Sequence, residues 1–550
     1  MKRRTLIKGL TLLPLAQGVA GSAIASFPDQ GSSNMRSFLD NEFSMADGPL
    51  KPGPNIYQSI GVQPIINCRG TFTIIGGSIE RQEVREAMDS AARHFVQYDE
   101  LAEGVGRRLA EITGAEWGMV SSGCSGVLKL LTIACVTGGN PEKLHRIPDL
   151  TGFEKNEVII PRGSHSAYDF SIQAVGVKII RVDTVQEFQD ALSSRTAMIK
   201  LSGGSLLPGE LGLEAIAKMA KPFNVPILAD AAAEILTIPN VHLQRGATVV
   251  AYSGGKVLCG PQCAGLVFGR KDLLMSAWQA SSPHHGPGRD NKVGREEMLG
   301  MLAAVEAWVT RDHAADWKTW LSWLNDISDR LKGIDSLTTQ ISEPAGLGNK
   351  SPRLTISWDP SKLNITGEEV SDLLITTKPR ITLGADRSST KTTSSISIVA
   401  FQMQPGEHKI VSNRLYDVLT QKRVPPNPAP IKPAAVNING QWDVTIDFYS
   451  SQSQHTWFIQ QEGNNVKGSH KADYSFREMT GSVEGDQVKL LSPALRPSPT
   501  YTFWGNVSGD FINGKINLGE FLDARFTAKR HVYPAAENPI TIPNGRLMSS

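Results

Sequence analysis

Short apolar runs that end in glycine or small polar residues recur from residue 117 to residue 269, with helical patterns between them. The predicted strands are Glu116 to Val120, Glu157 to Pro161, Gly176 to Val182, Ala197 to Leu201, Val225 to Asp230, Ala247 to Ser253 and Gly265 to Gly269. They are apolar almost throughout, without the alternation of a half-solvated strand, so the pattern predicts a mostly parallel sheet covered by helices on both faces. Ahead of them, Val84, Ala87, Ala91, Phe95 and Val96 repeat at helical spacing and predict a helix from Glu83 to about Ala102. A second helix runs from Val105 to Thr113 and stops at Gly114. Beyond the strands, one long helix is predicted from Glu296 to about Lys332.

The periodicity changes twice more. Residues 335–424 read as a smaller α/β unit, with strands at Arg353 to Trp358, Pro379 to Leu383 and Ser395 to Ala400 and helices opening at Gly367 and Pro405. Val424 to Pro433 is a stiff proline-rich linker. After it, short alternating strands and turns such as Glu462-Gly463-Asn464 and Ser508-Gly509-Asp510 predict a separate all-β domain, a barrel or a sandwich. The expected division is a leader over 26–55, a large domain over 56–334, the small α/β domain over 335–424, a linker over 425–436, the β domain over 437–532 and a tail over 533–550.

The first residues are a targeting segment. Arg3-Arg4 precedes the apolar run Leu10 to Leu15, and small residues from Ala20 to Ala25 follow as a cleavage region, the pattern of twin-arginine export over residues 1–25. The apolar run is too short for a stable membrane span. A periplasmic or exported protein is expected.

Charge and cysteine content narrow the classes. Lys+Arg 56 against Asp+Glu 54 leaves a formal charge of +2, so no basic field points to nucleic acid. Five cysteines, an odd count without a CxxC pair, argue against a disulfide framework and a zinc site. His284-His285 lacks a third ligand at familiar spacing, so no metal is expected there.

The candidate chemistry lies at strand ends. Ser253-Gly254-Gly255-Lys256 empties a buried strand into a tight turn, with the glycines expected to supply a backbone other residues avoid. A lysine amine boxed in there can attack a carbonyl, and Lys256 is expected to carry pyridoxal phosphate (PLP) as a Schiff base. Asp230 ends the apolar run Pro226 to Ala229 about 26 residues earlier, which places both groups at one carboxyl edge of the sheet. A carboxylate beside a pyridine nitrogen keeps that nitrogen protonated and the ring an electron sink. Between Glu116 and Gly126 a strand enters the turn Ser122-Gly123-Cys124-Ser125 and leaves as a helix, a seat for an anion at the positive helix end. His165, delivered by the Glu157 strand together with Arg162, Tyr168 and Asp169, either stacks on a cofactor ring or is structural. Arg289 and Lys292, in the glycine-rich basic loop from His284 to Arg295, and Arg380, a candidate carboxylate clamp, are the substrate-binding candidates.

Residues 56 to about 424 resemble the selenocysteine synthase-like branch of fold type I PLP-dependent enzymes, which includes D-glucosaminate-6-phosphate ammonia lyase-like proteins. Four segments carry the resemblance: Ile66 to Thr71, Gly114 to Gly126, Ile227 to Glu234 and Ser253 to Gln262. The resemblance implies Lys256 as the PLP lysine, Asp230 as partner of the pyridine nitrogen, Gly123, Cys124 and Ser125 as the phosphate cradle, and Ser253 as a further phosphate contact. It also implies a homodimer or larger homo-oligomer. The chain departs from selenocysteine synthase at its start, where an export signal takes the place of a tRNA domain, so no tRNA partner is expected. The β domain is foreign to the family pattern.

The function expected is PLP-dependent α,β-elimination of the ammonia-lyase type on a small amino acid or amino sugar acid. Aminotransferase or racemase chemistry would use the same anchors. A binding protein that keeps the PLP fold without turnover is the alternative from another class.

Overall fold

In the computed structural model, residues 50–386, 392–424, 431–495 and 498–533 are described. The twin-arginine segment, most of the leader, most of the proline-rich linker and nearly all of the tail fall outside them. The chain divides into two compact units, one over residues 46–426 and one containing residues 427–550.

The first unit is built on a seven-stranded sheet. Its spatial order is Trp117–Ser122, Ala264–Gly269, Val249–Ser253, Ile227–Asp230, Thr196–Ser202, Glu157–Pro161 and Lys178–Val182. Neighbours from Val249–Ser253 through Lys178–Val182 pair in parallel, and Ala264–Gly269 runs antiparallel to both of its neighbours. The inner strands are buried on both faces; Val158, Ile159, Ile160, Val250 and Val267 are shut off from solvent, as a sheet covered by helices on each side requires, while the edge strand Lys178–Val182 exposes Lys178 and Arg181.

A second core in the same unit is formed around the antiparallel sheet Gly384–Ala385, Ser394–Val399, Arg353–Trp358, Leu337–Ser342. It draws in distant residues. Strand Ile66–Asn67 pairs in parallel with Ile381–Thr382, which carries Cys68 into this core, and Leu324, Ile327 and Leu331 enter it from helix His313–Leu331.

Two helices expected to be continuous are broken. The first ends at Ala91 and chain resumes as helix at Tyr98, because the Gln97 side chain accepts the Glu100 amide and caps a new start. Phe95, expected on its buried face, is instead 97% exposed. The long helix divides into Arg295–Thr310 and His313–Leu331, where Asp312 accepts the amides of Ala314 and Ala315. An aspartate cap outweighs periodicity that runs through it.

The second unit is a closed barrel of eight antiparallel strands from Gly440–Asp447 to Asp523–Arg530, each paired to the next and the last to the first. Closure removes the sheet edges. Its inward positions alternate with exposed ones and hold Trp442, Trp457, Phe503 and Phe526. The fold is therefore a mostly parallel α/β unit with a smaller α/β core, joined in sequence to a separate all-β barrel.

Candidate active site

Three chain segments meet at the carboxyl edge of the large sheet. Strand Trp117–Ser122 turns directly into helix Gly123–Thr137, and Gly123 takes φ 66°, a left-handed value open to glycine. The amides of that first turn have no helical partner behind them and gather at the positive helix end. Ser125 Oγ lies 2.5 Å from Ser171 Oγ, and Ser122 Oγ accepts from Asn291 Nδ2 at 3.1 Å. Beside the turn, Ser121 Oγ and Asn291 Oδ1 are buried without a hydrogen-bond partner. A β-carbon on Gly265 would strike Gly123 and the Cys124 amide, so the neighbouring strand carries glycine to leave the turn its place.

The Lys256 turn follows strand Val249–Ser253. It is tied by Gly254 N–H to Ala264 O and Gly260 N–H to Gly254 O, each 2.9 Å. Neither Gly254 nor Gly255 has a positive φ, contrary to expectation. Space is what demands glycine here: a β-carbon on Gly254 would stand 2.7 Å from Pro261 O, and one on Gly255 2.7 Å from Gln262 Cα. The segment Gly76-Gly77-Ser78 packs on the same loop, with Ser78 N–H donating to Gly255 O. Ser253 ends the strand half-buried, opposite Gly265, which is itself opposite Ser121. A cavity of about 770 Å³ is lined by Val257, Trp308, Arg311, His313, Trp317 and Trp320 among others; Val257 follows Lys256 in the chain, and Lys256 itself is not in the wall.

Asp230 closes strand Ile227–Asp230, paired to Ser202 on one side and Ala251 on the other. The Cys124 thiol donates to its Oδ1 at 3.4 Å. Burial, then the charge of Asp230, pushes that thiol well above its ordinary range, while the ammonium groups of Lys256 and Lys200 act in the opposite sense. Cys124 thus stands among Asp230, Lys256 and Lys200. His165 Nδ1 lies 2.5 Å from Asp169 Oδ2.

The substrate candidates fare differently. Arg289 donates to Ser282 Oγ at 2.8 Å and Pro283 O at 2.9 Å, and Arg380 to the carbonyls of Ile375 and Gln63. Lys292 is exposed. It is Asn291, from the same loop, whose side chain reaches the Gly123 turn. Sequence reasoning missed Asn291 and Lys200. The second had a signal: a lysine inside the apolar run Ala197 to Leu201.

The donor set fits a phosphorylated pyridine aldehyde. A glycine turn at a helix start suits the phosphate, a lysine the aldehyde and a buried carboxylate the ring nitrogen.

Comparison with known proteins agrees. Residues 157–289, which include both Asp230 and Lys256, match the aminotransferase class-V family. The chain is 28% identical over 328 residues to D-glucosaminate-6-phosphate ammonia lyase of Salmonella typhimurium, covering 58% of this chain and 86% of that one. It is 28% identical over 325 residues to a 5'-C-glycyluridine monooxygenase-decarboxylase of a Streptomyces species, covering 56% and 78%. With L-seryl-tRNA(Sec) selenium transferase of Mannheimia succiniciproducens the identity is 27%, over 46% of this chain and 56% of that one. A solved structure of D-glucosaminate-6-phosphate ammonia-lyase superimposes with a TM-score of 0.59 at 26% identity, covering 66% of this chain and 98% of that one. The first unit is thus a fold type I, aminotransferase-like PLP-dependent domain homologous to D-glucosaminate-6-phosphate ammonia lyase and to selenocysteine synthase, and its cofactor is pyridoxal 5'-phosphate.

Proposed function

We propose that the protein is a PLP-dependent lyase that eliminates a β-substituent and ammonia from a small amino acid or amino sugar acid. The observation that carries the reading is the convergence of the Gly123 turn, Asp230 and the Lys256 turn at one sheet edge. The ammonia-lyase relative, matched over 86% of its length, favours elimination over the other reactions this arrangement serves.

When bound, PLP withdraws electrons from the substrate's α-carbon. The chain's own residues do the rest. Amides of Gly123, Cys124 and Ser125, with Ser253, would hold the phosphate, and His165, held by Asp169, would be the candidate to flank the ring. Asp230 would balance a protonated ring nitrogen. Lys256 would hold the cofactor through its amine and, when free, would accept the α-proton on Nζ. Loss of the β-substituent and hydrolysis then release a keto acid and ammonia.

Purified protein should show a visible absorbance band that Lys256→Ala abolishes. Incubation with amino acids and amino sugar acids should release ammonia and keto acid in equal amounts. A colourless protein that takes up no added PLP would overturn the reading. Keto acid formed only with an amino acceptor, or loss of optical activity alone, would replace lyase by aminotransferase or racemase. The proposal includes export through Arg3-Arg4 and a homo-oligomeric assembly, checked by cell fractionation of an Arg3→Lys/Arg4→Lys variant and by light scattering.

A further inference from the structure

Lys200 sits within strand Thr196–Ser202 with no solvent exposure. Two carboxylates face its ammonium group: Asp169 Oδ1 at 3.4 Å and Asp230 Oδ2 at 3.6 Å, with side chains 5% and 9% exposed. It also donates to Ser164 O at 2.8 Å and Ser202 Oγ at 3.1 Å. A charge this deep persists only where opposite charge and hydrogen bonds compensate it. The other groups at the cluster are the Cys124 thiol, donating to Asp230; His165, on the outer oxygen of Asp169; and Lys256, the residue that the proposed function engages with the cofactor, whose amine acts on Cys124 from the opposite side of the charge balance to Asp230.

Two buried carboxylates stand against one buried ammonium. The cluster therefore carries one negative charge more than Lys200 neutralises, and Asp230 lies at its cofactor-facing end. We propose that Lys200 is a positioning residue that sets this balance: it lets Asp169 and Asp230 be buried together while leaving a single negative charge for a protonated pyridine nitrogen to complete. The inference rests on the reading of Asp230 as partner of the ring nitrogen.

Charge balance makes a prediction that packing does not. Asp169→Asn leaves Lys200 against Asp230 alone, so a pyridinium would bring an uncompensated positive charge into a buried site. Lys200→Met leaves two buried carboxylates without their cation, which destabilises the cofactor-free protein. The double variant Lys200→Met/Asp169→Asn removes one charge of each sign and returns the cluster to its original balance.

The four proteins are compared by thermal midpoint without cofactor and by PLP titration followed through visible absorbance. Lys200→Met should melt below wild type and the double variant above Lys200→Met. Asp169→Asn should bind PLP at least about tenfold more weakly, and adding Lys200→Met should restore affinity to within about threefold of wild type. Disturbance of His165 by Asp169→Asn would not be repaired by a change at residue 200. Losses that simply add in the double variant overturn the inference. If wild type itself takes up no PLP, the site reading fails, and the melting comparison still decides whether Lys200 balances the two carboxylates.

Discussion

Replacing Gly265 by alanine tests whether the Gly123 turn holds the cofactor's phosphate. Gly265 lies in strand Ala264–Gly269, opposite Ser121 on one side and Ser253 on the other. A β-carbon there would stand 2.3 Å from both the carbonyl carbon and oxygen of Gly123 and 2.6 Å from the Cys124 amide nitrogen. Ordinary contact begins at 3.4 Å, and the atoms struck are backbone, so the turn must retreat by about 1 Å rather than swing a side chain aside. That retreat stretches an amide-to-phosphate hydrogen bond from about 2.9 Å to about 3.9 Å, past its useful range. A hydrogen bond to a charged group contributes about 1.5–3 kcal/mol, so losing one weakens PLP binding by about 10- to 150-fold. The assay is titration of cofactor-free protein with PLP, followed by the visible band. Gly104→Ala is the control: the site lies inside helix Tyr98–Thr113 with nothing within 4 Å of an added β-carbon. It should leave PLP affinity unchanged and stabilise the protein by about 0.5–1 kcal/mol. Gly265→Ala protein that binds PLP within twofold of wild type would refute the assignment of the turn.

Two further outcomes concern other parts of the chain. Inside the barrel, His455 Nδ1 and His470 Nε2 are 2.8 Å apart, and burial lowers both imidazoles from the usual value, His470 to about 3. Unfolded imidazoles gain protons near pH 6.5 while the buried ones do not. Stability is therefore full above about pH 6.5 and falls below it by about 1.4 kcal/mol per pH unit for His470, with His455 acting in the same direction. Melting midpoints measured by tryptophan fluorescence should drop between pH 7 and 5, and His470→Gln should flatten the slope; an unchanged slope contradicts the account. Among the cysteines, Cys263 is exposed, whereas Cys68, Cys124 and Cys135 are buried, with burial raising the Cys135 thiol to about 12. A thiol reagent should label Cys263 first and those three only on denaturation; rapid native labelling of Cys124 would show that the cluster around Asp230 is open.

Much of the site was legible because its residues sit where a sequence pattern changes. An apolar strand that ends in a lone carboxylate, a Gly-Gly-Lys turn and a small-residue strand-to-helix turn each announce themselves locally, and parallel topology brings such strand ends to one edge. Local pattern failed where a competing local signal was stronger, as at the Gln97 and Asp312 caps, or where the reason for a residue lay elsewhere in the chain. Gly254 and Gly255 were read as backbone requirements, but the demand comes from Pro261 and Gln262 packed against them.

The sequence by itself determined the strand rhythm, the change to an all-β grammar after the proline-rich linker, and the placement of Asp230 and Lys256 at neighbouring strand ends. Only the tertiary structure decided that the second β unit closes as an eight-stranded barrel, that Cys68 joins the second core through Ile66–Asn67, and that Asn291 rather than Arg289 or Lys292 reaches the Gly123 turn. It also decided that Lys200 lies between Asp169 and Asp230. The physical reason is the same in each case. Periodicity and turn chemistry act over a few residues, whereas a buried charge, a strand pairing or a steric limit is set by groups tens or hundreds of residues away that meet only when the chain folds.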